Sequence, residues 1–183
     1  MGTGLLCLPQ ANTAGGITPF MDALFTATSA ITVTGLTVEV TATYWSGFGK
    51  MIILFLMFIG GLGIMTTGAF LLVLIGRRVS IFQRQLVKES ISILPVNEVG
   101  GVVKLVVRIV SISVTVQLIG FIVYLIKLST EMELKNAIPH AIFLSVSAFN
   151  NAGFTAFVNS ESINGYQQDI TIIITTTILI LIG

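Results

Sequence analysis

Two short segments of this chain have the residue types that could bind an alkali cation through backbone oxygen atoms. Carbonyl oxygens arranged in a ring replace the water shell of such an ion. Glycine suits this kind of site because it reaches positive φ angles and leaves room for the ion. Each segment has one glycine, which is what a wide, single-ring selectivity site would need. The residues are Thr32, Val33, Thr34 and Gly35 in the first segment, and Asn150, Asn151, Ala152 and Gly153 in the second.

The two segments belong to an internal repeat. FTATSAITVTGLT (residues 25–37) aligns with FLSVSAFNNAGFT (residues 143–155), and Phe, Ser, Ala, Gly and Thr coincide. Taken singly, Gly35 and Gly153 could be ordinary turn residues, and Asn150 with Asn151 could simply end a helix. Recurrence in the same context, between apolar spans, favours the cation site.

Short, moderately apolar helices are predicted just before each segment, over residues 17–31 and 137–149. Neither is long enough to cross a bilayer, so both are candidates for re-entrant helices, whose non-helical continuation must be satisfied by protein or water. The carboxyl end of a helix carries roughly half a negative charge, which stabilises a cation beyond it. Asp22 and His140 lie at equivalent places near the two helix starts, and we interpret them as a capping and an interfacial residue.

The composition is that of a membrane protein. Of 183 residues, 54% are hydrophobic and only 9% are charged, whereas soluble domains have about 25% charged residues. Residues 51–76 and 109–126 are uncharged and apolar, and a third apolar run, 170–183, is too short to span as it stands. The net charge of +1 gives no indication of nucleic-acid binding. The lone Cys7 and lone His140 exclude a disulfide framework and argue against a zinc site or a histidine-based triad.

The positions of the basic residues predict how the chain is oriented in the membrane, since basic residues near the ends of membrane spans stay on the cytoplasmic side. Those near the middle of the chain surround one loop. In segments 37–49, 128–139 and 155–169 the few charged residues are acidic except for Lys135, and Glu39 lies just after the first candidate site. Both re-entrant segments therefore enter from outside. The basic residues are Arg77, Arg78, Arg84, Lys88, Lys104 and Arg108.

Several strings resemble the Ktr branch of the Trk/Ktr/HKT superfamily of potassium transporters. SAITVTGL (29–36) and SAFNNAGF (147–154) resemble its first and second filter loops. IGGLG (59–63) and RRVSIFQRQLVKES (77–90) resemble its first inner helix and the basic loop after it. The resemblance implies an all-α polytopic membrane protein built from helix–pore loop–helix repeats of the potassium-channel-like type, with two of an expected four repeats present.

The resemblance also assigns boundaries. Residues 1–76 form the first repeat, with the end of an outer helix, a pore helix at 17–31, a filter at 32–36 and an inner helix at 49–76. Residues 77–98 form a cytoplasmic basic linker. Residues 99–183 form the second repeat, with an outer helix at 99–127, a pore helix at 137–149, a filter at 150–154 and a truncated inner helix at 168–183. We therefore expect the chain to be part of a longer protein.

The function implied is potassium uptake across the plasma membrane by a multi-pass, non-enzymatic protein, through passive permeation gated by a cytosolic partner. Potassium is the expected ion and sodium an additional candidate, with no other metal site. The resemblance further implies contact with membrane lipid, a homodimer in the full-length form, and a regulatory nucleotide-binding ring of the RCK type. Two alternatives stay open: a non-conducting accessory membrane subunit, and an intramembrane enzyme, for which the chain offers a poor set of catalytic residues.

Overall fold

The structure is a computed structural model that describes residues 1–63, 99–156, 166 and 168–183. Regular structure in these residues is helical, apart from an isolated antiparallel bridge between Asn12 and Trp45. The predicted all-α class is therefore confirmed for the described part of the chain. The helices are α1 (Gly2–Leu6), α2 (Phe20–Ile31), α3 (Thr41–Tyr44), α4 (Gly47–Gly61), α5 (Val99–Leu128), α6 (Leu134–Phe149) and α7 (Ile170–Ile182).

The chain divides into two compact units. One contains Met1–Gly61 and Val116–Gly183, and the other contains Leu62–Thr115. In the second unit the structure describes residues 62–63 and the first part of α5, where the side chains of Lys104 and Arg108 are exposed. The first unit contains both candidate cation-binding segments.

Helices α2 and α6 precede these segments, and both start at a different residue from the predicted one. Helix α2 starts at Phe20, three residues after the predicted start, because Pro19 at its N-cap has an extended backbone with ψ 135°. Helix α6 starts three residues before the predicted start, because the break in helical backbone falls at Glu133, with ψ 141°. Pro139 lies inside α6 and does not begin it.

The helix predicted over residues 49–76 is shorter in the described residues. Helix α4 begins at Gly47 and ends at Gly61, and Gly63 has a φ of 75°, which a continuing α-helix cannot have. The remainder of that prediction, from residue 64, and the predicted linker 77–98 lie outside the described residues. The predicted outer helix 99–127 corresponds to α5, and the predicted inner helix 168–183 corresponds to α7.

One stretch of the described residues, Val107–Leu128 of α5, is long and apolar enough to cross a membrane. Helices α2, α4 and α7 are apolar but shorter. In α5 the side chains of Ile119, Ile122 and Ile126 are each more than half exposed. A row of exposed isoleucines is unfavourable in water, whereas in a bilayer it is an ordinary lipid-facing surface.

Small residues allow the helices of the first unit to pack closely. Helix α2 packs against α1 and α4, and it buries Ala23, Ala27 and Ala30 on one face. Helix α6 packs against α7 and α4, and every residue from Phe143 to Phe149 is buried. Close approach through alanine and glycine is typical of helices in membranes. Because the last seven residues of α6 are all buried, its carboxyl end lies inside the protein.

Candidate functional site

The two helices that precede the candidate segments end in the same backbone conformation. Beyond α2, Val33 has a φ of 57° and Gly35 a φ of 71°; beyond α6, Asn151 has a φ of 56° and Gly153 a φ of 72°. These are the positions that the internal repeat aligns. The backbone thus repeats even where the side chains differ, as they do between Val33 and Asn151.

The hydrogen bonds at the two helix ends also correspond one to one. After α2, the N–H of Val33 donates to the Ala30 carbonyl at 3.4 Å and the N–H of Thr34 to the Ser29 carbonyl at 3.0 Å. After α6, the N–H groups of the aligned residues donate to the aligned carbonyls, at 3.1 Å from Asn151 to Ala148 and 2.8 Å from Ala152 to Ser147. This is the Schellman motif, in which the residue with positive φ is usually glycine.

The C-cap residue of each helix and the two residues after it have carbonyl oxygens that the rest of the described chain does not use. Among hydrogen bonds between described residues, none is accepted by these oxygens. Free carbonyl oxygens beyond the negative end of a helix are the groups that could coordinate a cation. They belong to Thr32, Val33, Thr34, Asn150, Asn151 and Ala152.

The two segments meet at their glycines. A Cβ atom added to Gly153 would lie 3.7 Å from the Cα of Gly35, and one added to Gly35 would overlap the carbonyl oxygen of Ala152. Gly35 therefore requires glycine for two reasons, the positive φ and the close approach of the Ala152 carbonyl. At Gly153 the added atom would be at ordinary contact distance, and the positive φ alone favours glycine. The structure brings the two predicted segments together at one place.

Side chains in the two segments do not share one environment. Thr32, Thr34 and Asn151 are exposed, whereas Asn150 and Ala152 are buried. Asn150 caps α6: its Nδ2 donates to the Val146 carbonyl at 2.8 Å, and its Oδ1 occupies the space that a side chain on Gly61 would need. The interpretation of the two asparagines as a helix-ending pair is thus compatible with free carbonyl groups in the same residues.

Two serines that the internal repeat aligns contact these segments, and the sequence reasoning did not assign them this role. Ser29 Oγ accepts a hydrogen bond from Thr34 Oγ1 at 3.1 Å, and Ser147 Oγ donates to the Phe154 carbonyl at 2.6 Å. Both serines are buried, at 4% and 3% exposure. Their coincidence in the repeat was the signal that could have found them.

The other singled-out residues lie apart from this arrangement. Asp22 is in the first turn of α2, where an acid is favourable, and His140 is half-buried in α6 beside a cavity of about 550 Å³ that α4 and α6 line. In the described residues, no group of three histidine, cysteine, aspartate or glutamate side chains could hold a metal ion.

The described residues thus contain one helix that is long and apolar enough to cross a membrane and two short helices with matching ends, as expected of a helical membrane protein. The chain belongs to the TrkH family, described as cation transport protein, whose sequence pattern matches residues 8–183. The family resemblance noted in the sequence is thereby confirmed.

Curated relatives with similar sequences are named as uptake proteins. The chain is 36% identical over 182 residues to the potassium/sodium uptake protein NtpJ of Enterococcus hirae, covering 100% of the chain and 39% of the relative. It is 34% identical over 183 residues to the Ktr system potassium uptake protein B of Bacillus subtilis, covering 100% and 40%. The chain is 38% identical over 179 residues to the protein of the same name from Vibrio alginolyticus, and the match covers 98% of the chain and 38% of the relative. The chain thus spans about two-fifths of the length of these relatives.

Proposed function

We propose that this chain supplies two pore loops of a potassium-uptake protein of the plasma membrane. Carbonyl oxygens of Thr32, Val33 and Thr34 in one loop and of Asn150, Asn151 and Ala152 in the other coordinate the ion, beside the filter glycines Gly35 and Gly153. The observation that carries the proposal is the repeated helix end, with nearly equal φ angles, the same cap and, in both copies, carbonyl oxygens that accept no hydrogen bond from another described residue.

The proposed path of the ion follows from electrostatics. Helices α2 and α6 each end at one of the two loops, and their negative carboxyl ends stabilise a cation between the loops without a charged side chain. Potassium fits because carbonyl oxygens substitute for its water shell at low cost. Sodium is a second candidate, since one relative is named a potassium/sodium uptake protein. Permeation needs no covalent chemistry, which agrees with the non-enzymatic names of the relatives.

The assembly that we propose is that implied by the family resemblance. Residues 1–76 and 99–183 are two helix–pore loop–helix repeats of a multi-pass protein, joined by the linker 77–98, and further repeats complete the pore. The full-length form is a homodimer gated by a cytosolic nucleotide-binding ring of the RCK type. The test measures potassium uptake by the full-length gene product with and without a co-expressed ring protein. Uptake that responds to cytosolic nucleotide only in the presence of the ring would support this partner. Uptake that does not respond to nucleotide in the presence of the ring would contradict it.

The filter assignment is tested by Gly153→Ala in the full-length gene product, expressed in bacteria that lack their own potassium uptake. Uptake of potassium and of sodium is measured at equal expression. A Cβ at a φ of 72° displaces the loop backbone, so we expect the potassium-over-sodium ratio to fall about tenfold, which a change of ~1.4 kcal/mol in relative binding gives.

Gly15→Ala is the matched control. Gly15 has a φ of 70°, and a Cβ added there would have no atom within 4 Å. This variant carries the same backbone cost in a loop outside the two segments, and its selectivity ratio should equal that of the unsubstituted protein. An unchanged ratio in Gly153→Ala, or an equal fall in Gly15→Ala, would refute the filter assignment. If no potassium uptake is measurable with the unsubstituted protein, the non-conducting accessory role replaces it.

A further inference from the structure

Ser147 holds the second loop on both sides of Gly153. Its backbone carbonyl accepts a hydrogen bond from the N–H of Ala152 at 2.8 Å, just before the glycine. Its hydroxyl donates to the carbonyl of Phe154 at 2.6 Å, just after the glycine. One residue of α6 therefore ties down both neighbours of the most flexible residue in the loop.

The surroundings make this hydroxyl bond hard to replace. Ser147 is 3% exposed and Phe154 is 1% exposed, so water does not reach the bond. A buried acceptor that loses its donor keeps its full desolvation cost, and the backbone tends to move until the acceptor finds another partner. Movement at Phe154 changes the direction of the neighbouring carbonyl groups, because Gly153 has no side chain to resist it.

The aligned serine in the first loop holds its loop on one side of the glycine only. Ser29 accepts hydrogen bonds from Thr34, at 3.0 Å from its N–H to the Ser29 carbonyl and 3.1 Å between the two hydroxyl oxygens. Both bonds lie on the side before Gly35. In the described residues no side chain of α2 holds the residue after Gly35 in the way that Ser147 holds Phe154. The two loops are therefore braced unequally.

We propose that Ser147 is a positioning residue for ion selectivity, which acts by fixing the Phe154 carbonyl and so the geometry of the loop around Gly153. The inference rests on the proposed function, since it assumes that this loop coordinates the ion. The Ser147 side chain does not touch the ion. Its removal should change the discrimination between potassium and sodium more than the amount of protein in the membrane.

Ser145 offers a matched control on the same helix. Its hydroxyl donates to the Gln117 carbonyl of α5, also at 2.6 Å, and its side chain is 1% exposed. Ser145→Ala and Ser147→Ala therefore each remove one buried hydrogen bond of equal length from α6. Only the second bond reaches the loop.

The experiment compares the two variants in the full-length gene product by uptake of potassium and sodium, with KM and maximal rate measured separately. We expect Ser147→Ala to lower the potassium-over-sodium ratio by about three- to tenfold, the range that loss of one hydrogen bond corresponds to. Ser145→Ala should keep the ratio. Ser147→Cys retains a much weaker donor of similar size, so its ratio should fall between those of the unsubstituted protein and the alanine variant.

The outcomes separate this inference from the proposed function. If Gly153→Ala lowers the ratio and Ser147→Ala does not, the positioning role is wrong and the filter assignment stands. If neither changes it, the filter assignment itself fails. An equal fall in Ser145→Ala would show a general effect of destabilising α6 and would overturn the inference. Should Ser147→Ala not accumulate in the membrane, Ser147→Cys decides, and a ratio equal to that of the unsubstituted protein overturns the inference.

Discussion

Gly60, near the end of α4, lies directly against the backbone carbonyl oxygen of Ile31, the last residue of α2. A Cβ at position 60 would overlap that oxygen. The same relationship occurs at Gly183, just after α7, against the carbonyl of Phe149, the last residue of α6. Helix α2 thus ends against a glycine of α4, and helix α6 ends against the C-cap glycine of α7.

Substitution of Gly60 by alanine should destabilise the protein. The new methyl group meets backbone atoms, which cannot rotate away as a side chain can, so α2 and α4 must separate. Overpacking of this kind typically costs about 1–3 kcal/mol. We expect a lower midpoint of thermal unfolding for the purified full-length product in detergent.

Gly47→Ala is the comparison for Gly60→Ala. Gly47 is the first residue of the same helix, and a Cβ added there would have no atom within 4 Å. Its unfolding midpoint should equal that of the unsubstituted protein or exceed it slightly. If both variants unfold at the same temperature, the glycine at position 60 is not needed for close packing.

Asn151 tests the cost of the repeated backbone conformation. It has a φ of 56°, which costs asparagine less than it costs a β-branched residue. Asn151→Val should therefore destabilise the protein by about 1–2 kcal/mol, whereas Asn151→Gly should have little effect on stability. Thermal unfolding of both variants provides the measurement, and equal stability of the two would exclude strain at this position.

The aligned residue Val33 shows why the sequence predicts the repeat better than it predicts its conformation. Spacing and composition were enough to place both short helices and to single out Gly35 and Gly153. They gave no reason to expect a valine at a φ of 57°, because valine on its own avoids that region. Packing of the whole segment imposes the conformation, and strain of this kind is often found at functional sites.

Contacts between distant residues were likewise out of reach of the sequence. The string IGGLG resembled the first inner helix of the family, but it did not indicate that Gly60 lies against Ile31 or that Gly61 lies against Asn150. The predicted start of α6 was three residues too late, because the sequence alone does not show that the break in helical backbone falls at Glu133. The repeat could have singled out Ser147, but not the partner of its hydroxyl, which depends on how the loop folds back.

Tyr124 and Thr176 connect α5 to α7, and their coupling can be measured. Their hydroxyl oxygens are 2.7 Å apart and the Tyr124 side chain is buried. We expect a double-mutant cycle of Tyr124→Phe and Thr176→Val to give a coupling of about 0.5–1.5 kcal/mol in the free energy of unfolding, as for a typical hydrogen bond.

The neighbouring Thr177 provides the reference for that cycle. Its hydroxyl donates to the Ile173 carbonyl within its own helix, and its side chain is exposed. A cycle of Tyr124→Phe with Thr177→Val should show no coupling beyond error. Coupling of similar size in both cycles would mean that the substitutions disturb α7 as a whole and that the Tyr124–Thr176 bond has no separate contribution.

Asp169 should make stability depend on pH in the acid range. Its carboxylate lies 2.7 Å from the Lys127 ammonium and accepts hydrogen bonds from the N–H groups of Ile172 and Thr171 at the start of α7. The bond to Lys127 is the main cause that lowers the pKa of Asp169 below its ordinary value of 3.8. Because the folded state favours the ionised form, this stabilisation is complete above about pH 3.8 and is lost as the pH falls through the lowered pKa.

Asp169→Asn isolates the charge, because an asparagine oxygen can still cap the helix, whereas Asp169→Ala removes the cap as well. At neutral pH we expect the order of stability to be Asp, then Asn, then Ala. On acidification the difference between Asp and Asn should shrink, while the difference between Asn and Ala should stay constant. Unfolding midpoints measured between pH 7 and about pH 3 test this. An Asp-to-Asn difference that does not change with pH would show that the ion pair with Lys127 contributes nothing to folding.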